Sequence, residues 1–144
     1  MTNAIDNWLD EIKEEKPKQY IIKAPLFVMV GKKRFSINMN KYRISHFMVL
    51  NKAKKEYKLK MHDQITLLPV FNKISLEYQF TLPNKRLTDT DNLASIQAKF
   101  FQDALVEYGR ISDDNYTKVS CNGYNVIGID KHNARCDIII KELP

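Results

Sequence analysis

Two pairs of aspartates flank one predicted helix, and they are the residues best suited to chemistry. Asp89 and Asp91 are two positions apart, while Asp113 and Asp114 are adjacent and follow the helix. In extended backbone, side chains two positions apart project to the same side, so Asp89 and Asp91 can share a cation. Carboxylate oxygens suit Mg²⁺ or Mn²⁺, which keep several waters for a hydrolytic reaction. The spacing therefore predicts a divalent-metal site.

Each pair also has a purely structural interpretation. Asp91 followed by Asn92 is a good helix-capping sequence, and Asp113-Asp114 is a common turn. Together, on either side of one helix in a basic protein, the pairs favour metal binding more than either does alone. A helix of that length returns the chain along the sheet, so we expect the second pair to meet the first.

Lys99 and Asp103 are four positions apart on the same predicted helix and face the same way. One interpretation is an ordinary ion pair on the helix surface. The other is a lysine held by a carboxylate and directed at a phosphate. The sequence leaves both open.

The charge distribution indicates a polyanionic partner. The 144 residues carry a net charge of +6, and the sequence pI is about 9.2. Between Gly31 and Lys60 the bases are opposed by Glu56 alone, whereas the segment from Asp6 to Glu15 is acidic. A surface that binds a nucleic-acid backbone needs a local excess of positive charge of this kind. The lysines of 54–60 are, however, also typical of a solvated helix face.

Apolar periodicity predicts three helices. The first, over residues 4–15, is amphipathic. The second begins near Ser45, and the third runs from Asn92 to Tyr108 before Gly109. We expect the second helix to bury one face made of Phe47, Leu50, Ala53 and Tyr57.

The rest of the chain predicts strands and one loop. Residues 36–43 mix polar, aromatic and basic side chains and predict a loop. Residues 74–82 alternate strictly and form the best strand candidate. The other candidates are 20–22, 25–30, 64–70, and a closing pair at 119–126 and 135–142. Asn122-Gly123 is an alternative turn for a tighter hairpin.

These elements predict one α/β (α+β) domain. We expect a mixed sheet of about four or five strands, packed by two main helices, over residues 21–144, with residues 1–20 as a helical extension. At 44% hydrophobic the chain can bury a real core. No stretch has the length and apolarity of a signal peptide or membrane span, and two cysteines are too few for a disulfide framework. We therefore expect a cytoplasmic protein with no membrane partner.

The acidic block resembles a known family. Asp89-Thr-Asp-Asn-Leu93, Lys99, Asp103-Ala-Leu105 and Gly109-x-Ile-x-Asp113-Asp114 follow in order the pattern of the RusA-type Holliday junction resolvases of phages and prophages. The upstream Ser36–Arg43 is similar to that family's Asn-rich, basic segment. The resemblance covers roughly residues 27–143. It departs at one place, because Ser95 stands where the family has its lysine, so matching Lys99 requires one added helical turn.

The resemblance implies a Mg²⁺-dependent endodeoxyribonuclease in a bacterial or phage-infected cell. Asp89, Asp91 and Asp114 would bind Mg²⁺ or Mn²⁺, with Asp113 as the alternative to Asp114, and Lys99 would be the catalytic lysine. Symmetrical cutting of a four-way junction implies a homodimer. Tyr42 or Phe47 would stack on an unpaired base. The residues expected to bind DNA are Lys32, Lys33, Arg34, Asn38, Asn40, Lys41, Tyr42 and Arg43.

Two other functions fit the same residues. The first is a catalytically silent DNA-binding protein whose carboxylates only cap and turn the chain. The second is a nuclease that acts on flaps or other branches rather than on four-way junctions. An assay for DNA cleavage distinguishes the first from a nuclease. A comparison of branched substrates distinguishes the second from a nuclease that prefers four-way junctions.

Overall fold

The strictly alternating segment becomes β4 (Ile74–Leu82), an interior strand of a four-stranded sheet. The computed structural model describes residues 18–144, so the predicted helix at 4–15 lies outside the described residues. The remaining elements, in chain order, are β1 (Gln19–Ala24), β2 (Phe27–Val30), β3 (Lys33–Ser36), α1 (Met39–Ile44), α2 (Phe47–Thr66), α3 (Thr90–Glu107), β5 (Val119–Ile129) and β6 (Arg135–Glu142).

The sheet is mixed and has the order β1-β6-β4-β5. β6 is antiparallel to both β1 and β4, whereas β5 is parallel to β4. Helix α3 makes the crossover from β4 to β5, as parallel neighbours require. Because of that crossover, the end of β4 leads into the start of α3, and the end of α3 leads back to the edge where β4 begins.

A single core lies between the sheet and the two long helices. Ile74, Leu76, Tyr78 and Phe80 alternate along β4 and are buried on one face. Helices α2 and α3 cover that face with side chains at helical spacing, among them Tyr57 and Phe100, whose ring centroids are 5.5 Å apart. Burial of such apolar side chains is the main stabilising term of the domain.

β2 and β3 form a separate two-stranded hairpin that packs on α2. The chain reverses at Gly31, which has a φ of 62° and so occupies the left-handed region that favours glycine. Phe35 points into the core and is stacked against Phe100, with a centroid separation of 6.3 Å. The hairpin is therefore fixed to the core by one residue of each strand, Val28 and Phe35, while its basic residues stay exposed.

The predicted class is confirmed: the described chain is one small α+β domain with a four-stranded mixed sheet, packed by two long helices. The predictions for 74–82 and for the helix after Asp91 are confirmed to within two residues. Among the helices of residues 18–144, none has the length and apolarity needed to cross a membrane.

Three predictions upstream of β4 are wrong. The expected loop at 36–43 contains α1, which begins after Asn38 because the Asn38 side chain accepts a hydrogen bond from the Lys41 N–H at 2.8 Å. The expected strand at 64–70 is absent from the described chain, because α2 continues to Thr66 and a turn follows it. Phe47 does not join the buried face of α2, since 64% of it is exposed.

The prediction of a closing strand pair is also corrected. Both strands exist, but β4 lies between β5 and β6, so they are not neighbours. Asn122-Gly123 is not a hairpin turn; it lies inside β5, at a register shift where β5 has one residue more than β4. This is a β-bulge, which a sequence pattern does not distinguish from a turn.

Candidate nucleic-acid interface and acidic pair

Asp89 and Asp91, hereafter the acidic pair, lie at the amino-terminal end of α3. Asp89 is the N-cap residue, yet its side chain makes no capping hydrogen bond, so its carboxylate is not used by the helix. Asp91 is in the first turn, where the helix dipole stabilises a negative charge. Both are exposed and line one open groove of about 480 Å³. The two residues therefore share one groove, but Asp91 lies in the helix and not in the extended backbone that the prediction assumed.

The carboxylate of Asp91 is also tied to the sheet. The Tyr124 hydroxyl, on β5, donates a hydrogen bond to Asp91. This hydrogen bond, together with the nearby negative charge, raises the pKa of Tyr124 because both favour the protonated hydroxyl. Asp91 is therefore held between α3 and β5.

Helix α1 brings basic and amide side chains to the acidic pair. The backbone N–H of Asn40 donates to the Asn92 side chain at 2.9 Å, which joins α1 to the first turn of α3. As a result, Asn40 and Arg43 line the same groove as the acidic pair. A guanidinium beside two carboxylates, in a groove open to solvent, is suited to holding a phosphate next to them.

A second groove of about 610 Å³ continues from the first toward the hairpin. Asp89 and Asn40 line both grooves, while Arg34 and Arg86 line the second. The Arg34 guanidinium lies 3.8 Å from the centroid of the Phe27 ring, a cation–π contact that fixes its position. Arg34, Arg43 and Arg86, hereafter the groove arginines, are all exposed along this continuous path.

Lys99 does not line either groove. It lies eight residues beyond Asp91 on α3, which is about 12 Å along the helix axis. Its ammonium is 5.6 Å from the centroid of the Tyr42 ring. In the described chain Lys99 forms no ion pair with Asp103, so the surface ion pair that their spacing allowed is absent as well.

Asp113 and Asp114 lie beyond the opposite end of α3 from the acidic pair. The helix has 18 residues and therefore spans about 27 Å. Asp113 accepts hydrogen bonds from the Asp114 N–H at 2.7 Å and from the Asn115 side chain at 2.9 Å. These bonds lower the pKa of Asp113 because they favour its charged form. The expected meeting of the two aspartate pairs does not occur within this chain.

The predicted DNA-binding residues fall into two groups. Those that line the grooves with Asp89 are Arg34, Asn38, Asn40 and Arg43. Those that lie elsewhere are Lys32 and Lys33 on the exposed hairpin, and Lys41 and Tyr42 on partly buried positions of α1. The structure adds two residues that the sequence did not single out, Arg86 and Tyr124. Arg86 follows a strand-breaking Pro-Asn, which was a signal for a loop, whereas nothing in the sequence marks Tyr124.

The acidic pair fits a Mg²⁺ ion that is shared with a substrate phosphate. Mg²⁺ in phosphate-processing sites commonly uses one or two protein carboxylates and completes its octahedron with waters and phosphate oxygens. Asp89 has a carboxylate free of capping, and Asp91 lines the same groove. Within the described residues there is no group of three or more His, Cys, Asp or Glu side chains placed to hold a metal. Asp114 therefore does not fit as a third ligand from the same chain.

No protein-family model matches the chain, and no curated protein matches it significantly. The likeness to RusA-type resolvases therefore depends on the sequence pattern alone, and the activity it implies stays a prediction.

Proposed function

We propose that this chain is a Mg²⁺-dependent endonuclease that cuts branched DNA. One observation carries the proposal: the Asn40–Asn92 hydrogen bond joins α1 to α3 and places Arg43 in one groove with the acidic pair. Cations for phosphate and carboxylates for a metal are the two requirements of phosphodiester hydrolysis, and here they share one open surface.

In the proposed mechanism the groove arginines hold the DNA backbone. Their path leads a strand across the amino-terminal end of α3, whose free N–H groups and dipole favour a phosphate. Asp89 and Asp91 would hold the metal, with Tyr124 keeping the Asp91 carboxylate in place. When bound, Mg²⁺ polarises the phosphate and lowers the pKa of an attacking water.

Arg43 is our candidate for the cation that meets the negative charge of the transition state. It lines the groove with the acidic pair, whereas Lys99 lies about two turns away along α3. Loss of one donor to such a charge lowers kcat by about 100-fold or more. We expect that effect for Arg43→Ala in junction cleavage, and less than about tenfold for Lys99→Ala, measured under single-turnover conditions. The reverse order would support the lysine that the family resemblance implies.

The proposal includes the assembly and setting that follow from the activity. Symmetrical cutting of a four-way junction needs two sites, so a homodimer would place two acidic pairs on one substrate. Branched DNA arises in recombination and repair, which in a bacterial or phage-infected cell places the protein in the cytoplasm. Flap cutting uses the same groove chemistry and differs only in the branch that is recognised.

A second candidate function is DNA binding without cleavage. Two aspartates have structural roles that favour this candidate. Asp91 accepts a hydrogen bond from the Tyr124 hydroxyl, and Asp113 accepts one that closes a turn. The experiment that decides is incubation of the purified protein with a four-way junction, a flap and a linear duplex, each with Mg²⁺ and then with Mn²⁺. The nuclease proposal predicts metal-dependent products from a branched substrate; binding without products under both metals contradicts it.

A further inference from the structure

Three large apolar side chains are exposed where α1 meets α2. Ile44, Phe47 and Met48, hereafter the apolar corner, are 81%, 64% and 55% exposed. Single exposed apolar residues are ordinary, but three within five positions at one turn form a patch. The fully buried residues of α2 begin only at Ala53, so the corner contributes little to the core.

The corner is held in one conformation by local hydrogen bonds. The Ser45 hydroxyl donates to the Lys41 carbonyl at 2.6 Å and closes the end of α1. The His46 ring accepts a hydrogen bond from the Met48 N–H at 3.2 Å and caps α2. The same ring lies against Phe47, with centroids 4.4 Å apart. Phe47 is therefore presented to solvent on a fixed backbone with a neighbouring ring that limits its rotation.

The charged residues nearest the corner in the sequence are all positive, and the carboxylates closest to them in the groove are those of the acidic pair. No acidic residue occurs between Gly31 and Lys55 in the sequence. Arg43 is adjacent to Ile44 in the chain and lines the groove of the acidic pair. The corner thus continues a cationic, phosphate-binding surface, and it adds to that surface an apolar face. A nucleic acid offers the matching combination only where a base is unstacked next to its phosphates.

We propose that the apolar corner is a wedge that enters DNA at a branch point. Phe47 stacks on an unpaired base there, and Ile44 and Met48 cover its flanks. The inference rests on the proposed function and deepens it by naming how a branch is told from a duplex. Tyr42, the other aromatic candidate, is partly buried and lies beneath Lys99, so it is not free to stack.

The geometry also limits where the cut falls. Phe47 follows Arg43 by four residues, and four residues span at most about 14 Å. One base step in a strand advances about 3.4 Å. The backbones of Phe47 and Arg43 are therefore no further apart than about four base steps, so we expect the cut within several nucleotides of the branch.

The test uses a four-way junction that carries 2-aminopurine at the branch, with the full chain and no divalent metal. 2-Aminopurine is quenched when it stacks on neighbouring bases, so it fluoresces more strongly once the wedge has separated it from them and replaced them with the Phe47 ring. We expect a fluorescence rise on binding by the wild type and by Leu59→Ala, a control that removes an exposed apolar residue of the same helix. Phe47→Ala is expected to lose most of the rise, and its preference for junction over linear duplex should fall about tenfold.

Three results would overturn the wedge. They are an unchanged rise with Phe47→Ala, an equal loss with Leu59→Ala, and Phe47-dependent binding to anionic vesicles without an effect on the junction. Because no metal is present, the assay does not depend on cleavage. A rise that requires Phe47 without any nuclease activity would support the wedge and contradict the proposed function, so the two failures are distinguishable.

Discussion

The buried side chain of Gln97 connects three parts of the fold, and its removal gives a sharp test of the packing that supports the site. Its Oε1 accepts from the Tyr57 hydroxyl of α2 at 2.6 Å, and its Nε2 donates to the Pro25 carbonyl at 2.9 Å. Gln97 and Tyr57 are both fully buried. Burial raises the pKa of the Tyr57 hydroxyl, which therefore stays protonated and donates.

Tyr57→Phe leaves one buried amide oxygen without a partner, which costs about 1–3 kcal/mol. Gln97→Met leaves the buried Tyr57 hydroxyl unpaired and removes the donor to the part-buried Pro25 carbonyl, so we expect a larger loss of about 2–4 kcal/mol. The double variant leaves only the Pro25 carbonyl unpaired. It should therefore be more stable than Gln97→Met alone, because removing both partners of a hydrogen bond avoids one desolvation penalty.

Urea unfolding measures these differences. For a domain with a slope of about 2 kcal/mol/M, a loss of 2 kcal/mol lowers the midpoint by about 1 M. Tyr116→Phe is the matched control, because Tyr116 is 89% exposed and its change should stay within about 0.5 kcal/mol. Equal midpoints for Tyr57→Phe and the wild type would refute the reasoning, as would single-variant losses that simply add in the double variant.

Three further outcomes follow from the described geometry. Tyr124→Phe frees the Asp91 carboxylate, so junction cleavage should fall while junction binding, measured by gel shift, is kept; loss of binding instead would show that Tyr124 acts on the fold. Alkylation followed by mass spectrometry should label the exposed Cys121 and spare Cys136 until urea unfolds the chain, since burial raises the pKa of the Cys136 thiol and shields it; equal labelling of the folded chain argues against this core. If the three groove arginines each neutralise one phosphate, duplex affinity should fall about 40-fold between 50 and 200 mM salt, and a salt-independent affinity would exclude the groove as a phosphate path.

The elements that the sequence predicted well are those whose pattern spans several periods. The alternation in 74–82 and the helical spacing after Asp91 each repeat often enough to define an element. The α1 helix is too short for that, and the Asn38 cap that begins it also suits a turn. β3 was missed because two consecutive charged residues, Lys33 and Arg34, interrupt the alternation of apolar and polar side chains in this short strand.

Long-range relations were harder to predict, because periodicity carries no information on which elements become neighbours. It could not show that β4 lies between β5 and β6. The acidic pair was predictable because both residues belong to one local segment. The separation of Asp114 from the acidic pair follows from the length of α3, since a crossover helix returns the chain to the opposite end of the parallel strands. The Asn40–Asn92 contact joins residues 52 positions apart and has no local signal.

The measurement that tests the central claim most directly is Mg²⁺-dependent cleavage of a four-way junction by the wild type, Asp91→Asn and Asp114→Asn. All three should bind the junction. The groove geometry predicts that Asp91→Asn abolishes cutting, while Asp114→Asn, whose carboxyl lies beyond the far end of α3, stays within about tenfold of the wild type. Normal cutting by Asp91→Asn, or abolished cutting by Asp114→Asn, would contradict an active site formed by the acidic pair and the groove arginines of one chain.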